Sequence, residues 1–280
     1  MNIVFQAKRI INGLRQRVLG ESHVNAYYGF KQRFATQDML FVPAAPHHPG
    51  YLMTKICAEI GLRPTASAVG AAVGMFFLDK TETAPCAGRI LNGSCIDISK
   101  TRIEEAFAKV FGYSLAIDPL TYHGKAVCKG EENAAHDGCV IDCPISQREP
   151  CRVYEVLIDN SITDDVVEDL RISVVGNQLP LAYLKRRWKY QRFVNTNFEV
   201  KIVPAERVTS AQERLLVLKF AREIGLDFGE LDTLRDRATG KLYIVDAAKT
   251  PFGPPARLSF LNKRKAVHRI SEAFRAEFLP

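Results

Sequence analysis

The stretch GELDTLRDRATGKLYIVDAAKTPFGPP, from Gly229 to Pro255, decides the fold prediction. Its two halves flank Ala238-Thr239-Gly240, an arrangement typical of two strands joined by a hairpin turn. Each strand carries one acid, Asp232 and Asp246, at a position where the strand is expected to be buried. Burying a carboxylate is costly unless a cation or a hydrogen-bond donor compensates. The hairpin therefore predicts a partner for each of these acids.

The residues alone leave two interpretations of the acidic pair. Side chains that converge on one face of a hairpin suit a shared divalent cation, and magnesium prefers carboxylates together with water and phosphate oxygens. Alternatively, one or both acids form ion pairs with basic residues nearby in the sequence, for which Arg235, Arg237 and Lys249 are available.

The segments before and after the hairpin alternate between helix and strand patterns. The sequence predicts a strand–loop–helix unit over 39–64, a helix over 97–110, strands over 124–130 and 151–160, a hairpin over 169–187, a capped helix over 209–227 and a closing helix over 260–278. Helices and antiparallel hairpins mixed in this way predict an α+β fold.

Basic residues that an anionic ligand would need lie upstream on separate elements. Lys100 falls in a predicted helix, Lys129 ends a predicted strand, Arg171 lies in the hairpin over 169–187, and Lys185 ends that hairpin's second strand. The loop GEENAAHDG, which contains His136, follows Lys129. A small polar loop of this kind could present backbone N–H groups to phosphates.

The order of these features resembles the ATP-grasp superfamily. It comprises a lysine before a helix, a strand lysine followed by a small-residue loop, a Glu-x-x-Ile strand, Asp-x-Arg in a hairpin, and an acid–turn–acid hairpin ending in Thr-Pro. The resemblance covers roughly residues 97–255 and is nearest in style to glutathione synthetase and the ribosomal-protein glutamate ligase. It implies two α+β subdomains around an ATP cleft, at 86–150 and 151–280, preceded by a small α/β domain at 1–85.

The resemblance also implies a role for each candidate site residue. The residues that it places around ATP are Lys100, Lys129, His136, Glu155, Ile158, Asp159 and Lys185. It makes Asp232 and Asp246 the magnesium ligands and assigns Arg171 to the transferring γ-phosphoryl group. It places Arg192 and Asn197 on the substrate side, where an arginine and an amide can hold a carboxylate.

The implied activity is that of an ATP- and magnesium-dependent ligase, in which a carboxylate becomes an acyl phosphate that an amine or another nucleophile attacks. Two alternatives stay open: a kinase of a small hydroxyl substrate, and a catalytically impaired nucleotide-binding protein. The second follows from Ala248, where the resemblance places an asparagine metal ligand. A methyl group cannot coordinate a metal, although water could replace the missing ligand because magnesium commonly retains several waters.

Composition adds expectations about location and partners. The 280 residues are 47% hydrophobic and 25% charged, as in ordinary soluble proteins, with a net charge of +7 and seven cysteines but no Cys-x-x-Cys motif. No apolar run reaches the length of a membrane span, and the N-terminal stretch lacks signal-peptide features, so a cytoplasmic location is expected. Lys8 to Arg17 predicts an amphipathic helix, which either packs on the protein or lies on a membrane surface.

The expected partners are ATP and an unknown small carboxylate or amine. Nucleic acid is not expected, because no basic run is interleaved with aromatic residues, and the basic balance also suits an anionic small molecule. A homo-oligomer is compatible with the sequence.

Overall fold

The computed structural model describes residues 21–133, 135 and 137–279, so the basic segment from Lys8 to Arg17 lies outside the described residues. The elements in chain order are α1 (residues 21–32), β1 (Gln37–Pro43), α2 (Leu52–Ile60), β2 (Leu62–Thr65), β3 (Ala71–Phe77), α3 (Lys100–Phe111), β4 (Gly124–Gly130), β5 (Cys139–Cys143), β6 (Arg152–Val156), β7 (Val166–Val175), β8 (Ala182–Trp188), β9 (Glu199–Val203), α4 (Ala211–Glu223), β10 (Phe228–Arg235), β11 (Leu242–Ala248) and α5 (Phe260–Phe278). None of the described helices is both long enough and apolar enough to cross a membrane.

The chain divides into two compact units. One consists of the described residues up to Phe77 together with those from Thr250 onward, and the other is Leu78–Lys249. The first unit has a three-stranded parallel sheet in the order β2-β1-β3. Its connection from β1 to β2 runs through α2, which ends at Gly61 with φ 78°, a left-handed conformation that favours glycine.

Helix α5 belongs to the first unit, whereas the sequence-based division placed it with residues 151–280. It packs against α2, where His268 lies 3.3 Å from Glu59 and Arg275 donates a hydrogen bond to the Ile60 carbonyl. Its buried stripe includes Val267, Ile270 and Phe274 at helical spacing. Such a stripe shows that a helix needs an apolar surface, but not which surface covers it.

The second unit contains two antiparallel sheets. The larger has the order β11-β10-β7-β8-β9, and the smaller has the order β5-β4-β6. Strand β6 pairs with β4, so the predicted subdomain boundary at residues 150–151 would separate this strand from its own sheet. The smaller sheet therefore extends a few residues further along the chain than the sequence indicates.

The larger sheet has one apolar face and one charged face. Along β7, Leu170, Ile172 and Val174 belong to the apolar core that α3 and α4 cover. Asp169 and Arg171 alternate with them and therefore lie on the opposite face, because successive side chains of a strand point to opposite sides. This alternation leaves the charged face free to form a site.

Capping side chains fix where the two covering helices begin. Ser99 caps α3 by accepting a hydrogen bond from the Arg102 backbone N–H at 3.2 Å, so Lys100 is the first residue of this helix. Ser210 and Glu213 form a capping box at the start of α4. Both helices satisfy backbone donors that would otherwise lack partners at their N-termini.

The hairpin of β10 and β11 places the two acids directly across from each other. The register pairs Asp232 with Asp246, and a bulge follows between Asp232 and Thr233. At Gly229 an added Cβ would lie 2.5 Å from the Ala248 carbonyl oxygen, so the strands approach each other too closely for any other residue. The predicted convergence of the acids on one face is therefore present.

Asn92 anchors both ends of this hairpin. Its Oδ1 accepts hydrogen bonds from the backbone N–H groups of Asp227 and Phe228, and its Nδ2 donates to the carbonyls of Phe228 and Lys249. The side chain is fully buried, and the residue has a φ of 57°, which asparagine tolerates better than alanine.

We expect Asn92→Ala to lower the free energy of unfolding by about 3 kcal/mol, because it leaves buried backbone groups without partners. Equilibrium urea unfolding measures the change. Asn262→Ala, at an exposed position of α5, is the matched control and should have an effect below about 0.5 kcal/mol. Equal stability of the two variants would contradict the anchoring role.

Candidate functional site

A cavity of about 210 Å³ opens in the second unit, lined by residues of both of its sheets and of α3. It brings together six side chains that the sequence proposed for one site: Lys100, Lys129, Arg171, Lys185, Asp232 and Asp246. They come from α3, β4, β7, β8, β10 and β11. The geometric expectation that the two acids and the upstream cations share one crevice is met, while their roles stay predictions.

Asp232 is held by two cations from neighbouring strands. Arg171 forms a bidentate ion pair with it, with Nε–Oδ1 at 2.8 Å and Nη2–Oδ2 at 2.7 Å. Lys185 Nζ lies 2.9 Å from Asp232 Oδ1. Burial alone would raise the pKa of Asp232, but the charges of Arg171 and Lys185 hold it well below its usual range. Burial lowers the pKa of Lys185, with Arg171 acting in the same direction. Both carboxylate oxygens of Asp232 therefore accept hydrogen bonds from cationic side chains.

Asp246 and Glu155 each bind one of the predicted phosphate-site lysines. Lys100 Nζ lies 2.6 Å from Asp246 Oδ1. Lys129 Nζ lies 2.8 Å from Glu155 Oε2 and donates a 3.3 Å hydrogen bond to the Val245 carbonyl. Burial raises the pKa of Glu155, and the charge of Lys129 opposes this shift.

The basic residues of the hairpin itself have other partners. Arg235 pairs with Glu213 of α4, and the buried Lys249 donates to the Cys95 carbonyl at 3.2 Å. The ion pairs of the acids therefore exist, but they reach cations on α3, β7 and β8 rather than Arg235, Arg237 or Lys249. Sequence proximity suggested the wrong candidates because the sheet order sets which residues meet.

The segment after β6 lines the cavity only in part as predicted. Glu155 and Ile158 are lining residues, whereas Asp159 is exposed, accepts a 3.2 Å hydrogen bond from the Ser161 backbone and does not line the cavity. Its buried neighbour Asn160 does. The assignment of a ribose contact to Asp159 stays a prediction, and Asn160 is the better placed side chain.

The substrate-side segment also contributes in part. Arg192 lines the cavity and donates hydrogen bonds to the Ile158 carbonyl at 3.1 Å and to Asn160 Oδ1 at 2.9 Å. Asn195 lines the cavity, but Asn197 does not. His136 lies outside the described residues.

A buried ion pair on the cavity wall was not predicted from the sequence. Arg187 of β8 pairs with Asp169 of β7, and Asn160 donates to Asp169 Oδ1 at 2.8 Å. Burial raises the pKa of Asp169, and the charge of Arg187 opposes this shift. Asp169 lies two residues before Arg171, and Arg187 two after Lys185, so strand alternation was a usable signal for both.

Glu230, two residues before Asp232 on β10, was not predicted from the sequence either. The carboxylate is 1% exposed, has no hydrogen-bond partner among the described residues, and lies 3.6 Å from Arg171 Nη1. Burial raises the pKa of Glu230 to about 7, although the charge of Arg171 acts in the opposite direction. The pattern Glu-x-Asp in a strand places both acids on one face and could have identified it.

Asp232 and Asp246 fit magnesium by chemistry and by position, because both offer hard oxygen ligands and they face each other across the hairpin. Both are occupied by cationic side chains, however. Among the described residues, no group of three or more His, Cys, Asp or Glu side chains is gathered so that it could hold a metal ion. A metal would thus need the cationic partners to move away.

Comparison with solved structures identifies the fold. D-alanine–D-alanine ligase from Bacillus anthracis is 10% identical with a TM-score of 0.50, over 87% of this chain and 97% of that chain, and its structure complexed with ATP gives 11% identity over the same spans. The ATP-grasp ligase PsnB, complexed with a minimal precursor, gives 14% identity and a TM-score of 0.42 over 64% of this chain, which spans 60% of the PsnB chain. No protein-family model and no curated protein sequence matches.

The protein has the α+β ATP-grasp fold, as the sequence predicted. At these low identities the likeness defines the architecture, and the chemistry must be argued from the site itself.

Proposed function

We propose that this protein is an ATP- and magnesium-dependent ligase that activates a carboxylate as an acyl phosphate, which an amine or another nucleophile then attacks. The observation that carries the proposal is the convergence of Lys100, Lys129, Arg171 and Lys185 with two facing acids in one cavity. Cations from separate elements suit a polyanion such as a triphosphate. The ATP complex of the D-alanine–D-alanine ligase supports the same choice of nucleotide.

The charges of the cavity explain how nucleotide and metal would enter together. Its described lining residues include six basic side chains (Lys100, Lys129, Arg171, Lys185, Arg187 and Arg192) and six acidic ones (Glu132, Asp137, Glu155, Asp169, Asp232 and Asp246). With the charges balanced, a triphosphate alone would leave excess negative charge in a partly buried space. Nucleotide binding should therefore be stronger when a divalent cation accompanies it.

An exchange of ion-pair partners would couple nucleotide binding to magnesium binding. Phosphate oxygens would draw Lys100 away from Asp246, and Arg171 and Lys185 away from Asp232, since all three cations already point into the cavity. The carboxylates released in this way would then hold magnesium. The ion would neutralise charge on the phosphates, which is its usual contribution to phosphoryl transfer.

The remaining residues would act by position. Backbone groups over 155–158 would hold adenine, Lys100 and Lys129 the phosphates, and Arg192 a substrate carboxylate. A substrate carboxylate oxygen would attack the γ-phosphorus as ADP leaves, with Arg171 stabilising the charge of the transferring group. The nucleophile would then attack the acyl carbon, releasing inorganic phosphate and, from an amine, a proton. Positioning and charge neutralisation carry such a reaction.

Thermal unfolding in the presence of nucleotides tests the first part of the proposal. We expect ATP with magnesium to raise Tm. The stabilisation free energy should grow with the logarithm of ligand concentration and reach about 2.7 kcal/mol at a ligand concentration of a hundred times Kd. ATP with EDTA should give a smaller rise. No shift at millimolar ATP with magnesium would contradict the proposal.

A screen for ADP release over amino acids and small carboxylates tests the chemistry. The ligase predicts that ADP and inorganic phosphate form in equal amounts and only when a carboxylate and a nucleophile are both present. A stable phosphorylated product without inorganic phosphate would instead indicate a kinase. Nucleotide binding without turnover would indicate the impaired protein that Ala248 suggested.

A further inference from the structure

The acidic hairpin carries a third buried carboxylate, Glu230. Both oxygens of Glu230 lack a hydrogen-bond partner among the described residues, and the side chain is almost completely buried. The 3.6 Å separation between Glu230 Oε2 and Arg171 Nη1 is too long for a hydrogen bond. A buried carboxylate without hydrogen bonds is costly, so this position calls for a ligand that would engage it.

Two hydroxyl groups on the same face of the sheet share this condition. Ser173 Oγ and Tyr183 Oη are buried and have no hydrogen-bond partner among the described residues. Ser173 is the cross-strand partner of Glu230, and Tyr183 is the cross-strand partner of Arg171. The carboxylate of Glu230 and the hydroxyl groups of Ser173 and Tyr183 therefore form a polar surface whose side-chain polar atoms are all oxygens.

The position of Glu230 connects this surface to the acidic pair. It lies two residues before Asp232 on β10, and therefore on the same face, and its cross-strand partner is Ala248. Side chains paired across antiparallel strands have Cβ atoms about 5 Å apart. Glu230, Asp232, Asp246 and Ala248 thus form a four-residue patch on one face of the hairpin. Three of its residues carry carboxylates, and the fourth, Ala248, carries only a methyl group.

We propose that Glu230 is a third ligand of the divalent cation that enters with the nucleotide, and that Arg171 gives access to it by turning from the acids to the phosphates. Arg171 now contacts both Asp232 and Glu230, which keeps the three acids from forming a single cluster. The inference rests on the proposed function, because the phosphates provide the reason for Arg171 to move.

A hydrated metal ion fits this surface better than the amine of an organic substrate. Glu230 does not line the open cavity, so only a compact ligand that follows the departure of Arg171 would reach it. Magnesium and manganese keep water ligands, which donate hydrogen bonds, and the oxygen atoms of Ser173 and Tyr183 can accept them.

Manganese binding measured by electron paramagnetic resonance tests the inference without requiring turnover. The full chain is saturated with a non-hydrolysable ATP analogue, titrated with Mn²⁺, and corrected for Mn²⁺ held by free analogue. We expect Glu230→Gln to weaken Mn²⁺ binding at least tenfold while the analogue still binds. Glu199→Gln is the matched control, because Glu199 pairs with Arg186 and Lys201 and does not line the cavity.

The double variant Glu230→Gln/Ala248→Asn adds a stringent rescue. An amide oxygen at position 248 lies across the hairpin from residue 230, so it should return Mn²⁺ affinity to within about threefold of the wild type. A merely structural role for Glu230 predicts no such rescue. A structural role would instead lower the Tm of Glu230→Gln and of the double variant and leave their Mn²⁺ affinity unchanged.

The outcomes separate this inference from the proposed function. If the wild type binds the analogue and Mn²⁺ and Glu230→Gln binds both equally well, the inference is overturned and the proposed function stands. If the wild type binds no analogue, both are overturned. Weakened Mn²⁺ binding in Glu230→Gln that Ala248→Asn does not restore would also count against a ligand role.

Discussion

Replacing Asp232 with asparagine should both destabilise the second unit and remove ATP turnover. The substitution keeps the shape of the side chain but removes the charge that Arg171 and Lys185 share. Taking away one member of a largely buried ion pair leaves its partners uncompensated, which costs about 3 kcal/mol or more. Under the proposed function it also removes a metal ligand, so ADP release should fall below detection.

Urea unfolding and ADP release measure the two effects of Asp232→Asn. Asp142→Asn on β5 is the matched control, because its ion pair with Lys125 is mostly exposed and should be worth less than about 1 kcal/mol. Wild-type stability and turnover in Asp232→Asn would show that the centre of the site has been placed wrongly. Lost stability with normal turnover would make Asp232 a structural residue.

A hairpin with one acid on each strand could be predicted because its turn residues are local. The exact pairing of the acids could not, because the register next to the turn pairs Thr233 with Ile244, and the bulge between Asp232 and Thr233 then shifts it by one residue so that Asp232 meets Asp246. The starts of the two covering helices are likewise set locally, because the caps at Ser99 and Ser210 depend on neighbouring residues.

The partners of the acids could not be predicted from local patterns. Arg171 meets Asp232 because β7 pairs with β10 across about sixty residues of sequence, and Lys185 follows because β8 pairs with β7. A single sequence gives the strands but not their order in the sheet. The nearer Arg235 and Lys249 were natural candidates and lie elsewhere.

Ambiguity of another kind affected the first unit. The small apolar run from Ala66 to Leu78 fits a buried strand or a buried helix, and part of it forms β3. Its strand type is set by pairing with β1, a contact outside the run itself. The placement of α5 against α2 likewise depends on which apolar surface is available, which its own stripe does not specify.

Replacing Arg171 should also lower the rate of the proposed reaction strongly. Arg171 lies beside Asp232 in the cavity and presents a planar fork of donors, which suits both carboxylate and phosphate oxygens. An arginine that stabilises a transferring phosphoryl group contributes about a thousandfold or more to kcat. We therefore expect Arg171→Ala to lower kcat at least a thousandfold once an acceptor is known. Arg171→Lys should recover only part of this loss, because lysine keeps the charge but loses the fork.

Steady-state ADP release gives kcat and the KM for ATP of each variant. Arg186→Lys is the control, since Arg186 lies on the other face of β8 and pairs with Glu168 and Glu199. Loss of an interaction made mainly in the transition state lowers kcat and kcat/KM together, whereas loss of ground-state binding raises KM. A tenfold or smaller effect of Arg171→Ala on kcat would place the transferring phosphoryl group elsewhere in the cavity. It would leave Arg171 as a partner that keeps Asp232 and Glu230 compensated in the nucleotide-free protein.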